Sequence, residues 1–333
     1  MTAPDFPEDP VSRFEQIYGL LNQDRGWWGD ASSLRFSAMT AVTCAGSPGE
    51  VATAIRATAE DIKSRVGWFG SLRSPLRFIV SALLVLNGDL PAAFLDEVER
   101  VGTRFRALNL RRGGIYETMA VLILRLRRDL EPIPVEALYR FQALYEEMKR
   151  HHWWLTGPDD FPACAVLVGE EGSPEEIGKS IEEVYQALSS SGFSTGDPLQ
   201  TAANLLYLAH LPSRDAARRF RDLAEGFRES GVSIWQSDYD ELAILTFLEQ
   251  PAPEIVRRVV GLRSRMEQLS PRPGRLLTFN LAASLAFLEL VQVDRDLKAI
   301  TGAKALLDMQ AIINAQQAAA AAAASSAATA ASS

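Results

Sequence analysis

One pattern recurs seven times along the chain: a bulky apolar residue, an alanine four positions later and usually a leucine two positions further on. The alanines stand 38 to 45 residues apart and are Ala38, Ala82, Ala120, Ala165, Ala203, Ala243 and Ala283. The bulky residues are Leu34, Phe78, Tyr116, Phe161, Leu199, Tyr239 and Phe279. Repeats of this length are typical of stacked helical hairpins, which bury their apolar faces only against their neighbours. The pattern therefore predicts an all-α fold of about seven hairpins, forming an open α-solenoid or a closed α/α toroid.

Each repeat divides into a short apolar helix, which carries the alanine, and a longer amphipathic helix. A proline marks the break between them in nearly every repeat: Pro48, Pro91, Pro134, Pro174, Pro212 and Pro253. Proline suits the first turn of a helix, where its missing N–H would have no partner. Ser47 with Glu50, and Ser173 with Glu176, also have the spacing of a capping box, with serine as N-cap and glutamate at N3.

The pattern divides the chain into three parts. Residues 1–30 are predicted to hold a capping helix, from about Pro10 to Asn22, and a turn. Residues 31–315 form the hairpin repeats and end in a helical stretch through Leu297, Leu306, Met309 and Ile312. Residues 316–333 are an alanine- and serine-rich tail that offers little surface to bury, so we expect it to be disordered.

Charge argues against a general role in nucleic-acid binding. The net charge is -8, whereas proteins that bind nucleic acid generally carry a basic excess. Residues 100–150 are the exception, with a net charge of +5. The candidate anion patch in this segment consists of Arg104, Arg106, Arg111 and Arg112. Solvated helix faces explain the same charges without a ligand.

The cysteines and the apolar segments predict a cytoplasmic protein. Cys44 and Cys164 have no metal-binding spacing and lie among small apolar residues, which is typical of buried free thiols in a reducing compartment. The segment from Met1 to Pro10 lacks the apolar core of a secretory signal. The longest apolar run, Phe78 to Leu86, is about half as long as a membrane span. We therefore expect no membrane association.

The turns before the short helices carry the candidate binding residues. All six tryptophans lie in such turns, and an aspartate recurs just before the short helix. The candidates are Trp153, Trp154, Thr156, Asp159, Asp160, Asp197, Trp235, Asp238 and Asp240. The structural interpretation is that Asp160, Asp197 and Asp238 are helix N-caps and that the tryptophans cover the hairpin ends. The functional interpretation is an aromatic and acidic edge that binds a cationic peptide, or a divalent cation through Asp159, Asp160, Asp197 and Asp240, with Asp159 and Asp160 as the first candidates.

No known catalytic or cofactor-binding motif is present. The chain has no glycine-rich phosphate loop and no nucleophile elbow. His151 and His152 are adjacent and point about 100° apart on a helix, so they seldom bind one metal ion. We therefore predict no cofactor, apart from the divalent cation considered above.

The segment from His152 to Ala165, with the glutamine- and alanine-rich stretch near Gln310–Ala320, resembles a bacterial family catalogued as domain of unknown function 4003. The resemblance implies a bacterial cytoplasmic protein and transfers no catalytic residue. It directs attention to the turn that contains Thr156, Asp159 and Asp160.

Two functions from different classes fit these features. The leading hypothesis is a non-enzymatic scaffold that binds a peptide or protein along the turn-lined edge. The alternative is a toroidal enzyme, a hydrolase or a metal-assisted enzyme, whose turn carboxylates line a central pocket. The sequence leaves the oligomeric state open.

Overall fold

The structure contains α-helices and no strand in the part of the chain that it describes. This computed structural model describes residues 7–23, 31–67, 70–152, 157–270, 272–273 and 275–293. The helices are α1 (Pro10–Gln23), α2 (Ala31–Thr40), α3 (Pro48–Arg65), α4 (Arg77–Asn87), α5 (Pro91–Ala107), α6 (Ile115–Leu126), α7 (Val135–His152), α8 (Phe161–Leu167), α9 (Pro174–Ser190), α10 (Asp197–Tyr207), α11 (Ser213–Glu229), α12 (Tyr239–Leu245), α13 (Ala252–Met266) and α14 (Arg275–Val293). Within these residues the predicted all-α fold is confirmed. The choice between solenoid and toroid stays a prediction.

The recurring alanines lie one to a helix, in α2, α4, α6, α8, α10, α12 and α14. Each is at most 1% exposed. We call these seven helices the pattern helices. The helices that follow them, α3 to α13 in odd numbers, have one buried face and one charged face. The alternation agrees with the short apolar and long amphipathic helices that the sequence predicts.

The chain divides into two compact units, described separately below. The described residues of unit 1 lie within Met1–Glu99, and those of unit 2 lie within Arg100–Leu307. In unit 1, α1 packs against α2 and α3, and α4 packs against the same two helices. In unit 2, α6 packs on α8, α10 on α12, and α12 on α14, while α7, α9, α11 and α13 pack in succession. Neighbouring pattern helices are therefore in contact within each unit.

In the repeat that contains α8, the bulky residue of the pattern fills an aromatic cluster between helices. Phe161 of α8 packs edge-on against Phe105, Phe141 and Tyr145, with ring centroids 5.2 to 5.8 Å apart. Phe161 is fully buried. A buried phenylalanine side chain contributes about 1.5–3 kcal/mol. This residue therefore ties a pattern helix to the amphipathic helices α5 and α7.

An arginine holds the junction where a pattern helix ends and the next amphipathic helix begins. In unit 1, Arg13 of α1 donates to the backbone carbonyls of Val42, Cys44 and Gly46 at 2.8, 2.6 and 2.9 Å. In unit 2, Arg140 of α7 donates in the same way to Val168, Glu170 and Gly172 at 3.0, 2.5 and 2.9 Å. The guanidinium group thus provides partners for carbonyls that the end of a helix leaves unsatisfied. We call these two sites the trailing junctions.

Both trailing junctions continue into the predicted capping boxes. The Ser47 hydroxyl accepts from the Glu50 amide, and the Glu50 carboxylate accepts from the Ser47 amide. Ser173 and Glu176 make the same pair of bonds at the start of α9. These two predictions are confirmed.

No single helix in the described ranges is long and apolar enough to cross a membrane. Only α4 and α5 together, with a break between them, meet that length and composition.

Candidate functional site

Three of the turns of unit 2 that precede pattern helices, those before α8, α10 and α12, lie at residues 157–160, 192–197 and 233–238. We call them the leading turns. Two of them are 3₁₀ turns with the same geometry. The Asp160 carboxylate accepts from the backbone N–H of Gly157 at 2.9 Å, and the Asp238 carboxylate accepts from that of Trp235 at 2.8 Å. Each aspartate therefore closes the turn that precedes its helix.

Asp160 and Asp238 occupy the N-cap positions of α8 and α12, as predicted, but the prediction that these aspartates and Asp197 bond the helix amides is corrected. Neither Asp160 nor Asp238 makes a side-chain capping bond, because each carboxylate is turned back toward the residue three positions earlier. Asp197 is the first residue of α10, and Gly196, with φ at 134°, is its N-cap. A positive φ of this size is accessible mainly to glycine, so the backbone itself redirects the chain here.

Burial changes the ionisation of Asp238. The residue is 5% exposed, and desolvation raises the pKa of its carboxyl group. The Trp235 N–H, the Ser237 hydroxyl and the charge of Arg263 oppose this shift without cancelling it. A buried carboxylate that already accepts two hydrogen bonds is suited to hold a turn, and it leaves little surface for a ligand.

Trp235 is the residue that this turn displays. Its backbone is fixed by Asp238, whereas its side chain is 66% exposed. It is the only tryptophan among the described residues. Tryptophan is enriched at protein interfaces, and this indole is available for contact on a turn whose backbone is held in place.

Two tyrosine hydroxyls that the sequence analysis did not single out support the turn at residues 192–197. Tyr239 accepts from the Ser194 amide at 3.4 Å, and Tyr185 accepts from the Gly196 amide at 3.2 Å. Phe193 packs edge-on against Tyr239, with centroids 5.6 Å apart. The sequence marks Tyr239 only as an apolar pattern residue, since periodicity carries no information about its hydroxyl group.

The other predicted binding residues are distributed as follows. Asp197 is exposed at the start of α10, and Asp240 is half-buried in the first turn of α12. The side chain of Asp159 lies outside the described residues. The remaining tryptophans and threonine of this prediction, Trp153, Trp154 and Thr156, also lie outside them.

A divalent cation at Asp159 and Asp160 stays a prediction. Within the described ranges, no three His, Cys, Asp or Glu side chains come close enough to hold a metal ion. The enzyme alternative, a central pocket lined by turn carboxylates, also stays a prediction.

The predicted anion patch is spread over two elements. Arg104 and Arg106 lie in the last turn of α5, while Arg111 and Arg112 are exposed in the segment before α6. Arg106 lies 3.6 Å from the carboxylate of Glu117. Anion binding at this patch stays a prediction.

The described helices, together with turns closed by aspartate, define an all-α protein. The chain belongs to the family described as Protein of unknown function (DUF4003), whose model matches residues 17–318. It is also 28% identical over 264 residues to the Uncharacterized protein YeaA of Bacillus subtilis (strain 168), covering 77% of this chain and 76% of that protein. No solved structure matches the chain. The resemblance proposed from the segment His152–Ala165 is confirmed.

Proposed function

We propose that this protein is a cytoplasmic helical-repeat scaffold that binds a peptide or protein segment at the leading turns of unit 2. The observation that supports the proposal most directly is the exposed indole of Trp235 on a backbone fixed by the buried carboxylate of Asp238. Tryptophan is among the residue types enriched at the positions that dominate binding energy at interfaces. A fixed turn also reduces the entropy lost when a partner binds.

The acidic residues in and beside the leading turns favour a basic partner. Asp197 is exposed at the leading turn before α10, and Asp240 lies five residues after Trp235 in the chain. The whole chain carries a net charge of -8. A lysine or arginine over an indole face gains about 0.5–2 kcal/mol from the cation–π interaction. We therefore expect the partner segment to combine an apolar residue with lysine or arginine.

A selection from random peptides tests this proposal. The full chain is immobilised and used to enrich a displayed library of random twelve-residue peptides, and the selected peptides are then measured against Trp235→Ala. We expect basic peptides with an apolar residue, and about a tenfold or larger loss of affinity in the variant, because truncation of a tryptophan anchor often costs 2 kcal/mol or more.

Tyr139→Ala is the matched control. Tyr139 is 58% exposed on α7, so its removal deletes an exposed aromatic ring away from the leading turns. Equal affinity of the selected peptides for the parent protein and for Trp235→Ala would contradict the proposal. So would a set of selected peptides without basic residues.

A further inference from the structure

The exposed face of α11 carries opposite charges in its two halves. The charged residues of this face are Arg214, Arg218 and Arg221 in the first half, and Asp222, Glu225 and Glu229 in the second half, all of them exposed. At 100° per residue these side chains fall within a stripe about 100° wide. The buried residues Phe220, Leu223 and Phe227 occupy the opposite face. The stripe is therefore the solvent-facing surface of α11.

This distribution is unfavourable for the helix by itself. Arg214 near the start and Glu229 near the end of α11 oppose the helix dipole, whereas Asp215 in the first turn and Arg228 in the last turn complement it. Arg214 and Arg218 are like charges at i and i+4, and so are Glu225 and Glu229, and such pairs destabilise a helix. Ion pairs of α11 offset part of this cost, since Arg218 bonds Asp215 at 2.9 Å. Arg214, Glu225 and Glu229 form no ion pair with any other described residue.

The sequence of α11 inverts its charge about the midpoint between Arg221 and Asp222. Residues at equal distances on either side of this midpoint carry opposite charges in every case where both are charged. The pairs, from the centre outward, are Arg221 with Asp222, Arg218 with Glu225, Asp215 with Arg228, and Arg214 with Glu229. When two copies of a helix lie antiparallel about a two-fold axis, each residue faces the one that is equally far on the other side of the midpoint. Each of these eight charges on one copy would then face an opposite charge on the other, while Arg219 would face Ala224.

We propose that a second copy of this chain docks on this face, with α11 antiparallel to α11 and the two-fold axis passing midway between Arg221 and Asp222. Each of the four charge pairs occurs twice in this arrangement. The helix flanks leave room for interdigitating side chains. A groove of about 740 Å³ lies between α9 and α11, with Ala187 and Ala217 in its lining, and one of about 660 Å³ lies between α11 and α13.

The oligomeric state of the full chain tests the proposal, measured by sedimentation equilibrium at low and high salt. We expect a dimer that dissociates as salt rises, because exposed charge pairs are screened. Arg218→Glu alone and Glu225→Arg alone each replace two attractive contacts by two repulsive ones, so each should raise the dimer Kd by about tenfold or more.

Recovery of the dimer by compensating charge reversals identifies the register of the two α11 helices. Arg218→Glu mixed with Glu225→Arg should give a heterodimer, since the glutamate at 218 of one copy then faces the arginine at 225 of the other. The double variant Arg218→Glu/Glu225→Arg should dimerise by itself. Arg104→Glu reverses an exposed arginine on α5 and is the matched control, which we expect to dimerise as the parent does.

Circular dichroism of each variant checks that the helices are retained. A parent chain that stays monomeric at low salt overturns the proposal. So does a dimer that both single reversals leave intact. Loss of the dimer in the single variants without recovery in the mixture and in the double variant overturns the antiparallel register.

Discussion

The two ends of the pattern helix α8 are held in different ways. At its trailing end, the arginine Arg140 makes three hydrogen bonds, and the capping box of Ser173 and Glu176 follows directly. At its leading end, the Asp160 carboxylate closes a single 3₁₀ turn. The corresponding leading turn of α12 has the same closure and also displays Trp235. The comparison indicates that the trailing junctions are held by more hydrogen bonds than the leading turns, and that the leading turn of α12 leaves a large side chain exposed, where we propose that a partner binds.

The trailing junction occurs in unit 1 as well as in unit 2. Arg13 contacts carbonyls at the same spacing as Arg140, and Ser47 with Glu50 repeats the box. Gly46 and Gly172 occupy the turn of the respective junctions with φ near 93° and 95°. Both units therefore use the same arrangement to connect the end of a pattern helix to the start of the next amphipathic helix.

Removal of the junction arginine should have the largest effect on stability. Arg140→Ala leaves three backbone carbonyls without their charged donor, and we expect a loss of about 3 kcal/mol in the free energy of unfolding. Arg13→Ala should cost a similar amount. Arg219→Ala is the matched control, because Arg219 makes one such bond, to Gln250, and should cost about 1 kcal/mol.

Thiol labelling can assign these losses to one unit or the other. Cys44 lies in unit 1 and Cys164 in unit 2, and both are buried free thiols. Burial raises the pKa of Cys44 to about 12 and raises that of Cys164 well above its usual value, so both should react only on opening. Arg13→Ala should accelerate the labelling of Cys44 more than that of Cys164, and Arg140→Ala the reverse. Equal acceleration of both thiols would contradict the separate roles.

Loss of the capping serine should have the next largest effect. Ser173→Ala removes the acceptor for the Glu176 amide and should lower the free energy of unfolding by about 1 kcal/mol, and Ser47→Ala should do the same. Chemical denaturation measures both. Ser173→Thr keeps a hydroxyl group at the N-cap and should recover most of the loss; a variant as unstable as Ser173→Ala would argue against the box.

Local helix signals in the sequence were sufficient to predict the all-α class and the positions of most described helices. The alanine spacing, the prolines and the two serine–glutamate boxes place helices where the structure has them, since these signals act within a few residues. The arginine of the trailing junction was missed because its carbonyl partners lie 28 to 33 residues away and only packing brings them together. A signal was nevertheless present. Basic residues recur 39 to 44 positions apart, at Arg13, Arg56, Arg100, Arg140, Lys179, Arg219 and Arg258.

The roles of the aspartates and of Trp235 in the leading turns could be predicted only in part, for a physical reason. Aspartate is favoured both at a helix N-cap and at the end of a 3₁₀ turn that precedes a helix, so the residue type does not distinguish the two. The structure places the carboxylates of Asp160 and Asp238 in the second role. Exposure of Trp235 depends on which neighbours cover the turn, and no local pattern encodes that.

The buried charge of Asp238 should have a smaller effect on the free energy of unfolding, and this effect should depend on pH. Because burial raises its pKa in the folded state, the folded chain binds its proton at a higher pH than the unfolded chain, whose value is about 3.9. Above the raised pKa the buried charge therefore lowers stability, and this cost disappears as pH falls toward about 4. Asp238→Asn keeps an acceptor for the Trp235 amide without the charge.

Chemical denaturation of Asp238→Asn between pH 7 and pH 4 measures this effect. The variant should be at least as stable as the parent at pH 7. The free energy of unfolding of the parent, relative to that of the variant, should increase as pH falls. Asp238→Ala is the control for the lost hydrogen bond and should be less stable than Asp238→Asn at every pH. A stability difference between parent and Asp238→Asn that does not change with pH would contradict the role of the buried charge.

The smallest effect on stability should come from the residue with the largest proposed effect on binding. Trp235 is mostly exposed, so Trp235→Ala removes little buried surface and should change the free energy of unfolding by no more than about 0.5 kcal/mol. Denaturation and peptide affinity, measured on the same variant, separate the two roles. If Trp235→Ala destabilised the chain as much as Arg140→Ala does, the indole would be a structural cover of the hairpin end, and the leading turn would be a second stabilising junction. If the two helix ends have different roles, Trp235→Ala should keep the stability of the parent and lose affinity for the peptide.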